Sequence, residues 1–228
     1  PAGYRRAAAE VAREVENGHR VVAVVSAMGD TTDLLLETAQ SLTATPPAAL
    51  LGQLLATGED ASVALLSIAL TKEGVNVLPL PTERFCLQTQ GALGDADPVD
   101  ADTSTLVAAL STHDAVVLSG FVGRDASGAP SLLGRGGSDL TALFLGDVLN
   151  ATEVRLVKDV DGVYSKDPKA DEQAVPLTHA TWDEVREIGG GIVQEKAIVF
   201  AQQRGRGFRV SSVGGRGTWV GLTCGPRA

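Results

Sequence analysis

Short apolar runs alternate with longer segments whose apolar residues recur at helical spacing along most of the chain. The runs are rich in β-branched residues, which predicts strands at residues 21–26, 75–80, 115–119, 154–158 and 208–211. The longer segments predict helices at residues 4–17, 32–42, 50–73, 103–112, 139–149, 182–188 and 195–204. Strands separated by helices pair in parallel, so the pattern predicts an α/β fold, a three-layer α/β/α sandwich with a mainly parallel central sheet.

Two breaks in this alternation indicate how the single domain is divided. Residues 123–128, Gly-Arg-Asp-Ala-Ser-Gly, are typical of a polar hairpin tip, and we place a boundary between two lobes, 1–130 and 131–228, just after it. Residues 160–176 form a long, charged, proline-containing stretch. Loops of this length in a compact domain are usually binding elements or disordered.

Residues 133–139, Leu-Gly-Arg-Gly-Gly-Ser-Asp, are the strongest candidate for a ligand site. The paired Gly136 and Gly137 allow the backbone to approach an anion closely, and the helix that follows directs amide N–H groups and its positive dipole end to the same place. Arg135 adds a planar cation suited to a carboxylate or a phosphate. The alternative is a tight strand-to-helix turn in which Asp139 caps the helix.

Two further segments in the first half of the chain are candidates for ligand contacts. One follows a predicted strand, and the other lies within a predicted helix. After strand 21–26, the hydroxyl and carboxyl side chains of residues 30–32 either meet a ligand at the sheet edge or serve as ordinary helix caps. Residues 57–60, Thr-Gly-Glu-Asp, interrupt an apolar stretch. Glu59 in this segment either accepts from the ammonium group of an amino acid or belongs to a helix cap or a solvated turn.

The segment 156–169 combines a strand that ends in acids with an aromatic residue and lysines. Tyr164 could flank a base or a ribose, and Lys166 or Lys169 could neutralise phosphate. The alternative is a charged surface loop. Neither a Gly-x-x-x-x-Gly-Lys sequence nor a Gly-x-Gly-x-x-Gly sequence occurs in the chain, which argues against a P-loop enzyme and a standard dinucleotide-binding site.

Composition narrows the class of protein. The net charge is −9 and the basic residues are scattered, which argues against a nucleic-acid surface. Cys86 and Cys224 have no partner motif, and the three histidines have no ligand spacing, so we expect a reducing compartment and no protein-bound metal. No apolar run approaches the roughly 20 residues of a membrane span. We therefore expect a soluble, cytoplasmic protein without membrane contact.

Four motifs together resemble the amino-acid kinase family, and within it the aspartokinases. They lie at residues 25–33, 57–59, 133–139 and 159–164, the last followed by Asp167-Pro168, and they occur in the family's order. The resemblance extends from the first helix to residues 217–220. It implies the amino-acid kinase (carbamate kinase-like) fold, with an amino-acid-binding lobe at 1–130 and a nucleotide-binding lobe at 131–228.

The resemblance implies that ATP phosphorylates the side-chain carboxylate of L-aspartate to an acyl phosphate, the first step towards lysine, threonine and methionine. Thr32, Glu59 and Arg135 would hold the amino acid, with Arg135 on a carboxylate and Glu59 on the ammonium. This chemistry needs no strong base, because a carboxylate is already a nucleophile and catalysis consists mainly of positioning and charge neutralisation.

The resemblance also assigns the remaining site residues. Gly136, Gly137 and Ser138 would line the path between the substrate and the transferred phosphoryl group, and Asp139 would act in catalysis beside Arg135 by organising a catalytic lysine. The positions that match nucleotide contacts are Ser26, Asp159, Tyr164 and Lys169. Mg²⁺ would accompany ATP, and relatives in the family are homodimers.

The chain departs from the family pattern at several positions. Aspartokinases begin with a strand and a Lys-Phe-Gly-Gly turn whose lysine neutralises the transferring phosphoryl group, so we expect a segment before Pro1 to supply it. Gly191 stands where the family has a lysine that contacts ATP phosphates. Lys158 replaces a small hydroxyl residue, and we hypothesise that its ammonium takes over the missing charge. Lys158→Ala should then raise the KM for ATP sharply, and an unchanged KM would refute the hypothesis.

Other departures leave alternatives open. Residues 89–102 are acidic where the family loop is basic, and the chain ends at Ala228 without ACT domains. It is either a free-standing kinase domain or the kinase half of a fusion with homoserine dehydrogenase. A kinase of the same fold for another acid, such as acetylglutamate, glutamate, carbamate or a nucleoside monophosphate, is the second possibility. A catalytically inert relative that binds nucleotide as a regulatory subunit is the third.

Overall fold

The computed structural model describes residues 2–166, 171, 173–188 and 191–222. Its contacts divide the chain into two compact units, Pro1–Thr141 and Ala142–Ala228. The division falls within helix α5 (Gly137–Val148), whereas the hairpin tip had led us to place the boundary after residue 130.

The first unit is built on a three-stranded parallel sheet. Its order is β1 (Val21–Val25), β5 (Ala115–Ser119) and β2 (Val77–Leu80). The helices of this unit that precede α5 are α1 (Ala2–Glu16), α2 (Thr31–Leu42), α3 (Ala48–Lys72) and α4 (Thr103–Thr112). Apolar side chains of α1 and α3 pack with the sheet into one buried cluster. β5 is buried along its whole length, which explains why its sequence lacks polar alternation.

A second sheet of the first unit has the order β4, β3, β6, β7. These strands are β3 (Leu87–Ala92), β4 (Asp95–Asp100), β6 (Val122–Arg124) and β7 (Pro130–Leu132). The antiparallel β6–β7 pair confirms the predicted hairpin tip, where Asp125 Oδ1 accepts from the amides of Ser127 and Ala129 at 2.9 Å each. The β3–β4 hairpin was not predicted.

The second unit contains a four-stranded sheet in the order β8, β10, β11, β9. The strands are β8 (Arg155–Val157), β9 (His179–Ala180), β10 (Phe208–Ser211) and β11 (Thr218–Val220), and the helices are α6 (Trp182–Ile188) and α7 (Glu195–Gln203). β10 pairs in parallel with β8 and antiparallel with β11. Phe144 of α5 packs against Phe200 of α7, with their ring centroids 5.8 Å apart.

The α/β class with a mainly parallel sheet is confirmed: within the described residues most strand pairs are parallel. Every predicted strand and helix is present with shifts of a few residues at its ends. Gly18, Gly74 and Gly205 follow α1, α3 and α7 as C-terminal caps, with φ values of 88°, 81° and 60°.

Helix α3 corrects the statement that no apolar run of the chain approaches the length of a membrane span. Its 25 residues, with a mean hydropathy of 1.4, make it long and apolar enough to cross a membrane by length and composition. Half of its most apolar window is nevertheless buried inside the protein. A core helix that packs on a sheet has this composition because most of its surface faces apolar neighbours.

Candidate active site

Glu59 lies in the middle of α3 and its side chain is buried, with 1% of the residue exposed. Its Oε2 accepts a hydrogen bond from the backbone amide of Ala27 at 2.9 Å. The helix is continuous through this position, so the cap and solvated-turn interpretations of Glu59 are wrong. Burial raises the pKa of Glu59 to about 7, the Ala27 amide opposes this rise, and neighbouring Asp60 adds to it.

Gly58 allows α3 to lie close to the loop that follows β1. A Cβ at Gly58 would be 3.1 Å from Thr31 Cγ2 and 3.4 Å from Ala27 Cβ. Thr31 itself donates from its hydroxyl to the Met28 carbonyl at 2.8 Å. Gly58, through its small size, and Glu59, through its carboxylate, therefore both fix the loop between β1 and α2.

The loop places two predicted ligand residues near its ends. Ser26 directly follows β1 and is exposed, and Thr32 is a half-buried residue in the first turn of α2. Asp30 is the residue that precedes α2, but its side chain makes no capping hydrogen bond. The structure therefore does not support the side-chain cap suggested for Asp30.

The glycine-rich segment is a tight strand-to-helix turn, as one of the two interpretations held. Gly134 and Gly136 have φ values of 76° and 75°, which L-residues with side chains rarely adopt, and the Gly137 amide donates to the Gly134 carbonyl at 3.0 Å. α5 begins at Gly137, so Asp139 lies in its first turn and is not its N-cap. Arg135 is exposed, and Ser138 and Asp139 are half-buried.

Contacts at the end of β5 bring the end of β1 and the glycine-rich turn together. The Gly120 amide donates to the carbonyl of Val25, the last residue of β1, at 2.8 Å. On its other side, a Cβ at Gly120 would be 2.7 Å from Ser138 Cβ and 2.8 Å from Ser138 Cα. The carboxyl ends of β1 and β5 and the N-terminus of α5 thus meet at one point, the part of an open α/β sheet where ligands bind.

Sequence reasoning missed three features of this region. Gly120 carries no motif of its own, and its role follows only from the contact with Ser138. Asp95, at the start of β4, lies directly against Gly134 because the β3–β4 hairpin reaches the glycine-rich turn. Phe121 has a φ of 68°, and its amide donates to Thr141 Oγ1 of α5 at 3.2 Å.

In the second unit, the loop that follows β8 is anchored by the buried Thr218 and the half-buried Asp161. Thr218 Oγ1 accepts from the Val163 amide at 2.8 Å and donates to the Leu177 carbonyl at 2.5 Å. Asp161 Oδ1 accepts from the Ser212 amide at 3.1 Å. Asp161 therefore fixes the loop rather than extending from it.

The predicted nucleotide residues of this unit lie on the same loop. Lys158 and Tyr164 are half-buried and Asp159 is exposed. Tyr164 forms an isolated antiparallel bridge with Pro176, and the Leu177 amide donates to the Val163 carbonyl at 2.8 Å, so the described part of the long loop folds back on itself. Lys166 pairs with Asp171 at 2.7 Å.

The remaining sequence-based statements concern Ser26, Lys169 and Gly191. Ser26 belongs to the first unit, while Lys158, Asp159 and Tyr164 belong to the second. Lys169 lies outside the described residues, as do Asp167 and Pro168. Gly191, in place of the family's lysine, is exposed with a φ of 65°.

Comparison with known proteins identifies the family of this chain. The model of the amino acid kinase family matches residues 1–210. The chain belongs to the amino-acid kinase family. It is 36% identical to an aspartokinase of Bacillus sp. (strain MGA3) over 205 residues, which are 89% of this chain and 50% of that relative. The chain thus spans about half the length of the curated relatives that it matches.

Solved structures agree with this family. An aspartate kinase from Synechocystis matches with a TM-score of 0.76 and 28% identity, over 96% of this chain and 37% of that one. E. coli aspartokinase III, in a complex with aspartate and ADP, matches with a TM-score of 0.78 and 22% identity, over 95% of this chain and 61% of that one. The second likeness, at this identity, concerns the fold alone.

A cavity of about 190 Å³ lies beside α3. Its wall includes Thr57, Asp60, Cys86 and Arg124, but neither Glu59 nor any residue of the glycine-rich turn. Burial raises the pKa of the Cys86 thiol to about 11, which makes it a poor nucleophile. Among the described residues, no three His, Cys, Asp or Glu side chains are grouped so that they could hold a metal ion.

Proposed function

We propose that this chain is the kinase domain of an aspartokinase, which transfers the γ-phosphoryl group of ATP to the side-chain carboxylate of L-aspartate. The aspartokinase relatives support the substrate, and one contact in the structure carries the proposal. Glu59 is a buried carboxylate, held by the Ala27 amide beside the end of β1. A buried carboxylate requires a cationic partner when it ionises, and the ammonium of an amino acid is such a partner.

The amino acid is then bound through its ammonium and one of its two carboxylates. Glu59 accepts from the ammonium, Arg135 pairs with a carboxylate, and Thr32 contributes its hydroxyl. Binding of the ammonium would lower the raised pKa of Glu59, because an opposite charge favours the ionised carboxylate. A substrate whose amino group is acylated would not gain from this carboxylate.

The phosphoryl transfer itself needs little from acid or base groups. An oxygen of the side-chain carboxylate forms a bond to the γ-phosphorus while the bond from this phosphorus to the bridging oxygen of ADP breaks, and no proton is transferred. Two anions must approach to about 3–3.5 Å. Gly136 and Ser138 would provide backbone amides at the helix N-terminus for the charge that develops there, with Arg135 as the neighbouring cation. Gly137, whose amide donates to the Gly134 carbonyl, would line the path of the phosphoryl group. Asp139 would orient the catalytic lysine that the family resemblance implies.

We assign ATP, bound with Mg²⁺, chiefly to the loop after β8. Ser26, Lys158, Asp159, Tyr164 and Lys169 are the nucleotide residues of this proposal, which gives the amino acid to the lobe 1–130 and the nucleotide to the lobe 131–228. The protein is proposed to be a cytoplasmic homodimer in the synthesis of lysine, threonine and methionine. Its partners are small molecules rather than nucleic acid or membranes.

A substrate panel tests the proposal. The complete polypeptide encoded by the gene is assayed for ADP release from Mg²⁺-ATP with aspartate, glutamate, N-acetylglutamate, carbamate and uridine monophosphate. We expect turnover with aspartate, and a large loss of kcat/KM for aspartate in Glu59→Gln. Turnover with N-acetylglutamate that is insensitive to Glu59→Gln would assign the protein to an acylated substrate. Nucleotide binding without turnover on any acceptor would indicate an inert relative.

A further inference from the structure

Phe121 has a backbone conformation that its side chain disfavours. It connects β5 to β6 with a φ of 68°, in the left-handed region where a bulky aromatic residue is an outlier. Such a conformation persists only where the surrounding structure fixes it. The Phe121 carbonyl accepts from the Leu133 amide at 2.9 Å, which ties it to the first residue of the glycine-rich segment.

Thr141 holds the other backbone group of Phe121. Its Oγ1 accepts from the Phe121 amide at 3.2 Å and donates its own hydrogen to the Gly137 carbonyl, one turn earlier in α5, at 2.9 Å. The side chain is completely buried, so water cannot replace either bond. The hydroxyl therefore joins the strained peptide to the first residue of α5 through both its donor and its acceptor function.

The ring of Phe121 and the neighbouring Gly120 couple the position of the Phe121 peptide to the glycine-rich turn. A Cβ at Gly137 would be 2.8 Å from Phe121 Cδ2, so the ring lies directly on the first residue of α5. Gly120 is packed as closely on Ser138. A change in the Phe121 peptide would consequently shift the first turn of α5 relative to the end of β5.

We propose that Thr141 is a positioning residue for phosphoryl transfer, which sets the backbone amides of the glycine-rich turn by holding Phe121 in its left-handed conformation. Thr141 touches neither substrate in this proposal and acts only through Phe121 and Gly137. The inference rests on the proposed function insofar as the turn binds the reacting groups. A displacement of about 1 Å at such a turn lowers the rate by about 100-fold, which is the scale of the effect to look for.

The test compares Thr141→Val, which keeps the shape but lacks the hydroxyl, with Thr141→Ser, which retains it. Ser67→Ala is the matched control, because Ser67 is also buried in a helix and donates to the carbonyl one turn earlier, Val63, at 2.8 Å, but belongs to α3 rather than α5. We expect kcat with aspartate to fall at least tenfold in Thr141→Val and to recover in Thr141→Ser. Ser67→Ala should lower the thermal midpoint about as much as Thr141→Val does, with kcat unchanged.

A double-mutant cycle isolates the route through Phe121. Glycine adopts a positive φ without strain, so Phe121→Gly removes the need for the bond to Thr141. Adding Thr141→Val to Phe121→Gly should therefore lower kcat little further. Full additivity of the two losses, or wild-type kcat in Thr141→Val, would overturn the proposal.

Amide hydrogen exchange gives a readout that does not depend on the substrate. In Thr141→Val, but not in Thr141→Ser, the amides of residues 120–122 and 136–139 should exchange at least tenfold faster. Unchanged exchange would overturn the positioning role. Faster exchange in a protein that does not turn over aspartate would contradict the proposed function and leave the positioning role standing.

Discussion

At the scale of single residues, Glu59 combines a burial cost with the binding function that we propose for it. Its pKa is raised from 4.5 to about 7, chiefly by burial. A carboxyl whose pKa is raised in the folded state contributes full stability below its unfolded pKa, and this contribution is lost as the pH rises through 7. The shift corresponds to about 3 kcal/mol.

We therefore predict opposite pH trends for stability and for substrate use. Between pH 4.5 and pH 8, the free energy of unfolding of the wild-type protein should fall relative to that of Glu59→Gln, which keeps the bond from the Ala27 amide and cannot ionise. Over the same range kcat/KM for aspartate should rise in the wild type, because the ammonium requires the ionised carboxylate. Chemical denaturation and initial rates measure both quantities.

The exposed Glu37 of α2 supplies the control. Glu37→Gln should follow the wild-type curves at every pH. Identical pH dependence in the wild type and in Glu59→Gln would show that Glu59 ionises normally and has no part in binding the ammonium.

Lys158 is the second residue with a separable prediction. It is half-buried on the loop after β8, at the position where the family has a small hydroxyl residue. If its ammonium neutralises the ATP phosphates in place of the lysine missing at 191, Lys158→Ala raises the KM for ATP and leaves the KM for aspartate near its wild-type value. Initial rates at varied ATP decide this, and an unchanged KM for ATP refutes it.

At the scale of elements, the close contact between β5 and α5 determines the site. A Cβ at Gly120 would be 2.8 Å from the backbone Cα of Ser138, so the helix must move to accommodate it. We expect Gly120→Ala to lose about 1–3 kcal/mol of stability and to lower kcat strongly, since α5 carries the glycine-rich turn. Gly94→Ala is the control, because a Cβ there meets nothing within 4 Å. Equal stability and rates in both variants would show that this contact does not set the site.

The loop after β8 depends in the same way on Thr218. Its hydroxyl accepts from the Val163 amide and donates to the Leu177 carbonyl in a buried position. Thr218→Val should cost about 1–3 kcal/mol of stability. It should also weaken ATP binding in calorimetric titration, while Thr218→Ser retains both. Wild-type affinity for ATP in Thr218→Val would remove this loop from the nucleotide site.

Prediction from the sequence succeeded where burial leaves either a continuous apolar run or a periodic pattern. β5 and β10 were located at their observed bounds because their residues are almost all buried. β3 and β4 were missed because they are polar, largely exposed strands that contain Gly91 and Pro98, and a strand of this kind leaves no hydrophobic alternation. β9 has two residues, too few for any period.

Sequence analysis found those residues of the candidate site that belong to a local motif. Glu59 and the glycine-rich turn are recognisable in the sequence, but the interpretation of residues 57–60 stayed open because the neighbours of α3 are set by the fold. Thr141 reads in sequence as an ordinary residue of a helix. Its two hydrogen bonds become visible only when Phe121, distant in sequence, is brought against α5.

At the scale of the whole molecule, the family membership and the proposed reaction have different support. The family model matches most of the chain, and the described site contains the carboxylate and the glycine-rich turn that the reaction needs. The chain spans about half the length of the curated relatives that it matches. The activity is therefore a property to be measured on the complete polypeptide encoded by the gene.

The most direct measurement is the identity of the product. The complete polypeptide is incubated with Mg²⁺-ATP, L-aspartate and hydroxylamine, which converts an acyl phosphate to a hydroxamate, and ADP and hydroxamate are quantified together. We predict aspartate-dependent formation of one side-chain hydroxamate for each ADP, and its loss in Glu59→Gln at neutral pH. ADP release without hydroxamate, or nucleotide binding with no turnover, would contradict phosphorylation of the aspartate side chain.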